Sequence, residues 1–274
     1  MKRTRFTKEE ISDILAKYKA GMTQKEIANI YGTYNTSIRR KLIENGITPR
    51  GNSEVQRVVK SNPFVDYKTN RTAQYFIGLL ATDGCIHKNA IILTLQEKDQ
   101  HILQQYAKFI GYGVKVNKLY RKKYNNYEYY VKFRHLEVVE FLKSLGITER
   151  KSYNLQLNIP LTIDILRGIL DGDGSIGTYN KLTRVCLISA SKLFITQVSS
   201  FLSNELHVYN IVSFRQNTQL YALKIHRQKE ILYLYNLLYN DTQFFIERKK
   251  LKYCPLLKKF NKKYRLNSGK VMVN

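Results

Sequence analysis

The chain is short of the residues that build zinc sites, redox centres and membrane spans. Its 3 cysteines, Cys85, Cys186 and Cys254, are odd in number and far apart, with no CxxC spacing, which excludes a paired-cysteine zinc or redox centre. They are expected to be reduced, mostly buried thiols. The 5 histidines, His87, His101, His135, His207 and His226, show no HExxH or paired-ligand spacing, which argues against zinc-hydrolase chemistry. No histidine-centred nuclease motif is evident either. No stretch approaches the ~18 apolar residues of a membrane span, and the Met-Lys-Arg start lacks a following apolar signal region. An intracellular location is therefore expected, cytoplasmic or in an organelle matrix, neither secreted nor membrane-bound.

The largest deficit is of acid: 21 Asp and Glu stand against 46 Lys and Arg, a formal charge of +25 and a pI near 9.9. Such a field implies a polyanionic partner, and nucleic acid is the natural one. Charge alone suits a plain basic binder equally well, so the motifs must decide.

Two nine-residue stretches, FIGLLATDG (Phe76–Gly84) and LRGILDGDG (Leu166–Gly174), share one grammar. Each has glycine third, a small residue seventh, aspartate eighth and glycine ninth, so one structural unit is written twice. On a helix, positions three and seven lie one turn apart, and Gly78 with Thr82, and Gly168 with Gly172, form smooth patches where two helices can pack. The closing Asp-Gly reads as a helix end, with Gly84 and Gly174 expected in the left-handed terminal conformation. That places Asp83 and Asp173 at the negative pole of each helix, where an anion is disfavoured by several tenths of a kcal/mol. If the two ends meet, the two like charges call for a cation between them, and hard oxygen ligands suggest Mg²⁺.

These residues resemble the LAGLIDADG homing endonucleases in their single-chain, two-motif form, over roughly residues 72 to 260. The resemblance implies an α+β fold: two pseudo-symmetric αββαββα halves packed through their motif helices. It also implies that Asp83 and Asp173 bind the divalent metals, Mg²⁺ or Mn²⁺, that cut DNA. Two departures stand out, Ala81 in place of the acid retained as Asp171, and Thr82 where a smaller residue is usual.

Residues 1–48 read as a small all-α helix-turn-helix module. Thr7 with Glu10 and Thr23 with Glu26 have capping-box spacing, with Phe6 placed to staple onto Ile11. Ile11, Ile14, Leu15 and Tyr18 form one apolar face, and Ala28, Gly32 and Ile38 carry helix-turn-helix spacing. A third helix over about Tyr34 to Asn45 would offer Asn35, Thr36, Ser37, Arg39 and Arg40 to bases or phosphates. Residues 49–71 are expected as a partly extended linker, its composition of turn type from Gly46 on, tracking the DNA backbone through Arg50, Arg57, Lys60 and Arg71. A short helix is expected within it around Val55, Val58 and Val59.

The first half is expected over 72–160 and the second over 161–274, ending in a basic tail. Strands are expected at Ala90 to Leu95 and Val185 to Ser189, then helices at Asp99 to Ile110 and Lys192 to Leu206. Hairpins follow, Val114 to Tyr120 with Tyr127 to Arg134, and Tyr209 to Arg215 with Leu220 to His226. Along the first return strand Glu128, Tyr130, Lys132 and Arg134 share one face, with Tyr129, Val131 and Phe133 on the other. Lys224 and His226 match Lys132 and Arg134, and Arg215 joins them, giving basic sheets suited to a duplex groove.

A last echo closes each half: Thr148-Glu149-Arg150-Lys151 and Ile246-Glu247-Arg248-Lys249. By the resemblance, Lys151 and Lys249 border the metal site, where a basic residue polarises water or stabilises the charged transition state. The implied function is site-specific double-strand cleavage of a long DNA target by a monomer with internal pseudo-two-fold symmetry. The chain lacks a Cys or Ser start and a terminal His-Asn, so a free-standing or intron-borne gene is expected, not an intein. Two alternatives remain on the same fold: an RNA maturase that binds intron RNA, and a non-cleaving DNA-binding regulator.

Overall fold

The computed structural model describes residues 6–20, 22–49, 61–111, 113–122, 125–180 and 182–258. The chain divides into two compact units, residues 1–57 and 58–274. Arg50, Arg57 and Lys60, with the short helix expected around Val55 to Val59, lie outside the described residues, as does the basic tail beyond residue 258.

The first unit contains three helices, α1 (Lys8–Lys19), α2 (Gln24–Ile30) and α3 (Asn35–Glu44). Both capping boxes form: the Thr7 and Thr23 hydroxyls accept from the Glu10 and Glu26 amides, and the two glutamates accept in return from the cap amides. Each box satisfies two of the amides a helix start leaves unpaired. Ile14, Tyr18, Ile27, Ala28, Ile38 and Leu42 make the core. Gly32 enters the turn between α2 and α3 at φ +58°, a left-handed conformation that favours glycine. The Phe6 ring, expected to staple onto Ile11, meets Tyr31 edge to face at 6.0 Å.

The second unit is built twice over. Its first half runs α4 (Arg71–Thr82), β1 (Gly84–His87), β2 (Ala90–Gln96), α5 (Gln100–Ile110), β3 (Val116–Arg121), β4 (Asn126–Arg134) and α6 (Leu136–Ser144). The second runs α7 (Ile163–Gly172), β5 (Gly174–Tyr179), β6 (Leu182–Ser189), α8 (Lys192–Ser200), β7 (Ile211–Arg215), β8 (Leu220–Ile225) and α9 (Gln228–Tyr239), followed by a short α10 (Glu247–Leu251). Each half is thus αββαββα, with four antiparallel strands in the orders β1-β2-β4-β3 and β5-β6-β8-β7. The helix expected to Leu206 stops at Ser200 and continues as a π-helical turn over Phe201–Glu205.

Alternation fixes the faces of the sheets. In β4, Tyr129, Val131 and Phe133 are buried while Lys132 and Arg134 are exposed. In β8, Ala222, Leu223 and Ile225 are buried with Lys224 half-buried. The inner faces join α4, α7 and the flanking helices in one continuous core.

The linker is shorter than its composition suggests. Phe64 is fully buried against Phe109 at 5.2 Å, and Asn70 caps α4 through the Thr72 and Ala73 amides. Tyr67, 6.1 Å from the Phe141 ring, packs against the same core, so the turn-forming residues around Phe64 and Tyr67 are part of the packed unit. Arg71, expected on the DNA backbone, opens α4 and is committed to Asp164 (Nε to Oδ2, 2.9 Å) and Asp241 (Nη1 to Oδ2, 3.0 Å).

Candidate functional site

The two motif helices α4 and α7 pack with their backbones nearly touching. A Cβ on Gly78 would overlap the Ile165 carbonyl oxygen, and one on Gly168 would overlap the Tyr75 carbonyl oxygen. One turn further on, a Cβ on Gly172 would collide with the Thr82 side chain and press on Asp83 Oδ2. Thr82, the larger of the two seventh-position residues, is thus seated against Gly172, its counterpart on the other helix. Thr82 Oγ1 also donates to the Leu79 carbonyl at 3.0 Å.

Both helices end on their aspartates. Asp83 and Asp173 are the C-caps, at φ −85° and −90°, and the chain then passes directly into β1 and β5. Gly84 and Gly174 are not left-handed, contrary to the sequence expectation. They are glycine because a Cβ would strike the carbonyl oxygens of Leu80 and Leu170 in the turn just finished. Close approach, not positive φ, is the requirement.

Both carboxyls are held above their ordinary range. Burial pushes Asp83 up to about 6, and the charge of Asp173 adds to the effect while Lys249, Lys151 and Arg248 oppose it. Burial raises Asp173 likewise, against the pull of the same two lysines. A pair of converging carboxylates that resist ionising is a site short of positive charge. Their hard oxygens suit a divalent cation such as Mg²⁺ or Mn²⁺. Among the described residues no group of three or more His, Cys, Asp or Glu side chains could hold a metal, so any ion here rests on this pair and on oxygens from elsewhere.

Lysines bracket each aspartate in the same way. Lys151 Nζ donates to the Thr82 carbonyl at 3.4 Å and to the Gly84 carbonyl. Lys249 Nζ donates to the Gly172 and Gly174 carbonyls, the latter at 2.7 Å, and also to Leu170 at 3.1 Å. The flanking carbonyls on either side of each aspartate are therefore bridged by one ammonium, which supplies the positive charge a helix C-terminus favours. Burial lowers both lysines, Lys249 to about 8.

Behind the second aspartate lies a polar network that the first half lacks. Asp171 is fully buried and accepts from Tyr75 Oη (3.0 Å), Tyr239 Oη (3.1 Å) and the Ile246 amide (2.8 Å). Arg167, also buried, donates to the carbonyls of Phe244 (2.9 Å) and Leu238 (3.1 Å) and to Asp164. Together they fasten α7 to the segment that delivers Lys249. Ala81 and Ile77 hold the corresponding motif places in α4, both buried in apolar surroundings.

The basic residues expected on the sheets face outward. Lys132 and Arg134 pair across the ladder with Ile92 and Ala90; Lys224 lies between Cys186 and Ile211, and Arg215 is exposed at the end of β7. His226 is exposed one residue beyond β8. Arg184, outside the strand expected from Val185, belongs to the same face and lies 4.8 Å over the Tyr179 ring. A strand start placed three residues earlier would have found it.

Two expectations fail on burial. Ser37 is buried in the three-helix unit, because the turn of α3 that carries it also carries Ile38 into the core. Asn35, Thr36, Arg39 and Arg40 remain exposed. The cysteines are not core thiols: Cys85 is exposed and Cys186 and Cys254 are half-buried, since Cys85 and Cys186 sit on the outer sheet faces.

Comparison with known proteins agrees with this architecture. Residues 162–237 match the model of the LAGLIDADG-like domain. The homing endonuclease I-WcaI bound to its DNA recognition sequence superposes with a TM-score of 0.50 at 15% identity, covering 76% of this chain and 94% of that one. Meganuclease I-SmaMI bound to uncleaveable DNA with a TTGT central four gives 0.52 at 12% identity, covering 71% and 91%. I-DmoI in complex with DNA and Mn gives 0.45 at 18% identity, covering 63% and 98%. No curated protein matches the chain. The chain carries a LAGLIDADG-like domain and has the two-half fold of the LAGLIDADG homing endonucleases. No helix among the described residues is long and apolar enough to cross a membrane.

Proposed function

We propose that this protein is a site-specific, double-strand DNA endonuclease in which Asp83 and Asp173 hold divalent ions, Mg²⁺ or Mn²⁺, between the two halves. The observation that carries the reading is the duplicated site: two helix-terminal aspartates, each flanked by carbonyls that one lysine bridges, Lys249 buried and Lys151 half-buried. When bound, such ions activate water and stabilise the leaving oxygen in phosphodiester hydrolysis. The residues of the chain do the remainder. Asp83 and Asp173 accept the charge of the ions, and Lys151 and Lys249 keep each aspartate's backbone fixed and lower the cost of gathering phosphate beside two carboxylates.

The outward faces of the sheets supply the duplex contacts, with Lys132, Arg134, Arg215, Lys224 and His226 joined by Arg184. The three-helix unit contributes Asn35, Arg39 and Arg40 as a helix-turn-helix, extending a long target site. A monomer suffices, because the chain contains both halves.

The test is Mg²⁺-dependent cleavage of DNA carrying the uninterrupted insertion site, or of a randomised duplex library, by wild type, Asp83→Asn and Asp173→Asn. Double-strand cutting lost in both variants supports the reading. Tight binding with no cutting by wild type moves it to a non-cleaving regulator, and stimulation of intron splicing by purified protein to a maturase.

A further inference from the structure

Each lysine-bearing segment is gripped by the half to which it does not belong. Arg248 precedes Lys249 on α10, at the end of the second half, and its guanidinium donates to Asp99 of the first. Nε lies 3.0 and 2.9 Å from the two carboxylate oxygens and Nη2 lies 2.7 Å from Oδ2. Asp99 is 1% exposed and accepts once more, from Gln96 Nε2 at 3.1 Å. Although Asp99 is the N-cap of α5, its side chain makes no cap hydrogen bond; apart from Gln96, its hydrogen-bond donor is Arg248 of the other half. Two residues on, His101 Nε2 lies 3.4 Å from the Phe245 carbonyl oxygen.

The reverse grip is present in the corresponding place. Ser191, the N-cap of α8 and fully buried, donates its hydroxyl to the Leu155 carbonyl at 2.6 Å. Gln197, further along α8, donates to the Leu157 carbonyl at 2.7 Å and accepts from the Leu157 amide at 3.1 Å. Leu155 and Leu157 belong to the stretch that follows Lys151. The helix after the second strand of each half therefore holds the chain on which the other half's lysine is carried.

We propose that Asp99 is a positioning residue for Lys249, and Ser191 for Lys151, so that each half sets the lysine of the other. The bidentate, charge-assisted fork between Asp99 and Arg248 fixes direction as well as distance. Arg248 and Lys249 are adjacent like charges, and the buried carboxylate neutralises the first where the second must sit close to Asp173. The functional part of this proposal rests on the nuclease reading above; the mechanical part does not.

The experiment uses the full chain and reads amide hydrogen exchange first. Asp99→Asn is expected to speed exchange in peptides covering 246–252 by about tenfold or more while 163–172 stays protected. Ser191→Ala is expected to do the same for 153–158 and to leave 246–252 unchanged. Unaltered exchange in the gripped segments overturns the proposal, and so does a rise spread evenly over 62–258, which marks a merely structural role. Should Asp99→Asn fail to fold, Arg248→Lys keeps the charge, breaks the fork and serves the same comparison.

The second readout is strand-resolved cleavage of a supercoiled plasmid carrying a site that wild type cuts. Asp99→Asn should accumulate circles nicked in one strand and Ser191→Ala circles nicked in the other, whereas equal slowing of both strands overturns the functional claim. If wild type cuts no DNA, the nuclease reading falls by itself, and the exchange data still decide whether the grips exist.

Discussion

The two halves of the larger unit make the same device by different means. In both, a helix ends on an aspartate, a glycine drops the chain into a strand, and a lysine bridges the carbonyls on either side. In the second half that lysine arrives on α10, whose N-cap Ile246 donates its amide to Asp171. In the first, Lys151 arrives on a turn in which Arg150 has φ +54°, and Ala81 offers no acceptor. Both halves therefore carry the same groups at the site itself while the support behind the motif helix differs, a buried carboxylate with its donors at Asp171 and an apolar methyl at Ala81.

The widest separation between positions that look alike is expected from glycine substitutions. Gly168→Ala forces a methyl into the Tyr75 carbonyl, whereas Gly177→Ala on the outer strand meets nothing within 4 Å. The first should cost about 3 kcal/mol or more by urea denaturation, and the second close to nothing beyond strand propensity.

Asp171→Ala makes the second half resemble the first. It strands the Tyr75 and Tyr239 hydroxyls and the Ile246 amide in a buried place, and a loss of about 2–4 kcal/mol is expected. Ala81→Asp is the converse, and it should destabilise too, because α4 has no such donors waiting. A stabilising Ala81→Asp would break the comparison.

The site's electrostatics give a smaller effect of opposite sign. Asp83 is raised above its unfolded value to about 6, so its contribution favours folding at acid pH and is lost as pH rises through 6. At pH 7.5 without metal, Asp83→Asn should therefore raise stability by about 1–2 kcal/mol, a gain that shrinks as pH falls below 6 and vanishes only below about pH 4, the range of a free carboxyl. Cleavage should run the other way, falling as pH drops through 6 and this carboxyl takes a proton. Thermal melts and rate profiles across pH check the two signs separately.

The smallest change expected belongs to the three-helix unit. Thr7→Ala and Thr23→Ala each remove half of a capping box and should cost about 1 kcal/mol, readable by circular dichroism.

Much of this was legible in the residues because it follows from local rules. Capping boxes, the alternation along β4 and the glycine spacing of the motif helices are short-range patterns, and the folded chain uses them. What escaped the sequence depends on partners far away in the chain. Nothing near Asp171 announces that Tyr75, Tyr239 and Ile246 converge on it, nor does Asp99 reveal that its partner is Arg248. Arg71 looked like a phosphate contact because its acidic partners, Asp164 and Asp241, lie in the other half. Gly84 and Gly174 were identified as necessary glycines for the wrong reason: left-handed backbone and close approach leave the same letter in a sequence. Ser37 and the cysteines were misjudged on burial, which residue type alone predicts poorly at the boundary between a core and an open face.

The central claim is that Asp83 and Asp173 act together as the seat of a divalent ion. The most direct measurement is the melting temperature of the full chain at neutral pH with and without Mn²⁺, for wild type, Asp83→Asn and Asp173→Asn. A metal-dependent rise is expected in wild type, and either substitution should abolish it, because the ion neutralises two carboxylates that otherwise repel. An equal rise in all three proteins would place the ion elsewhere and contradict the claim.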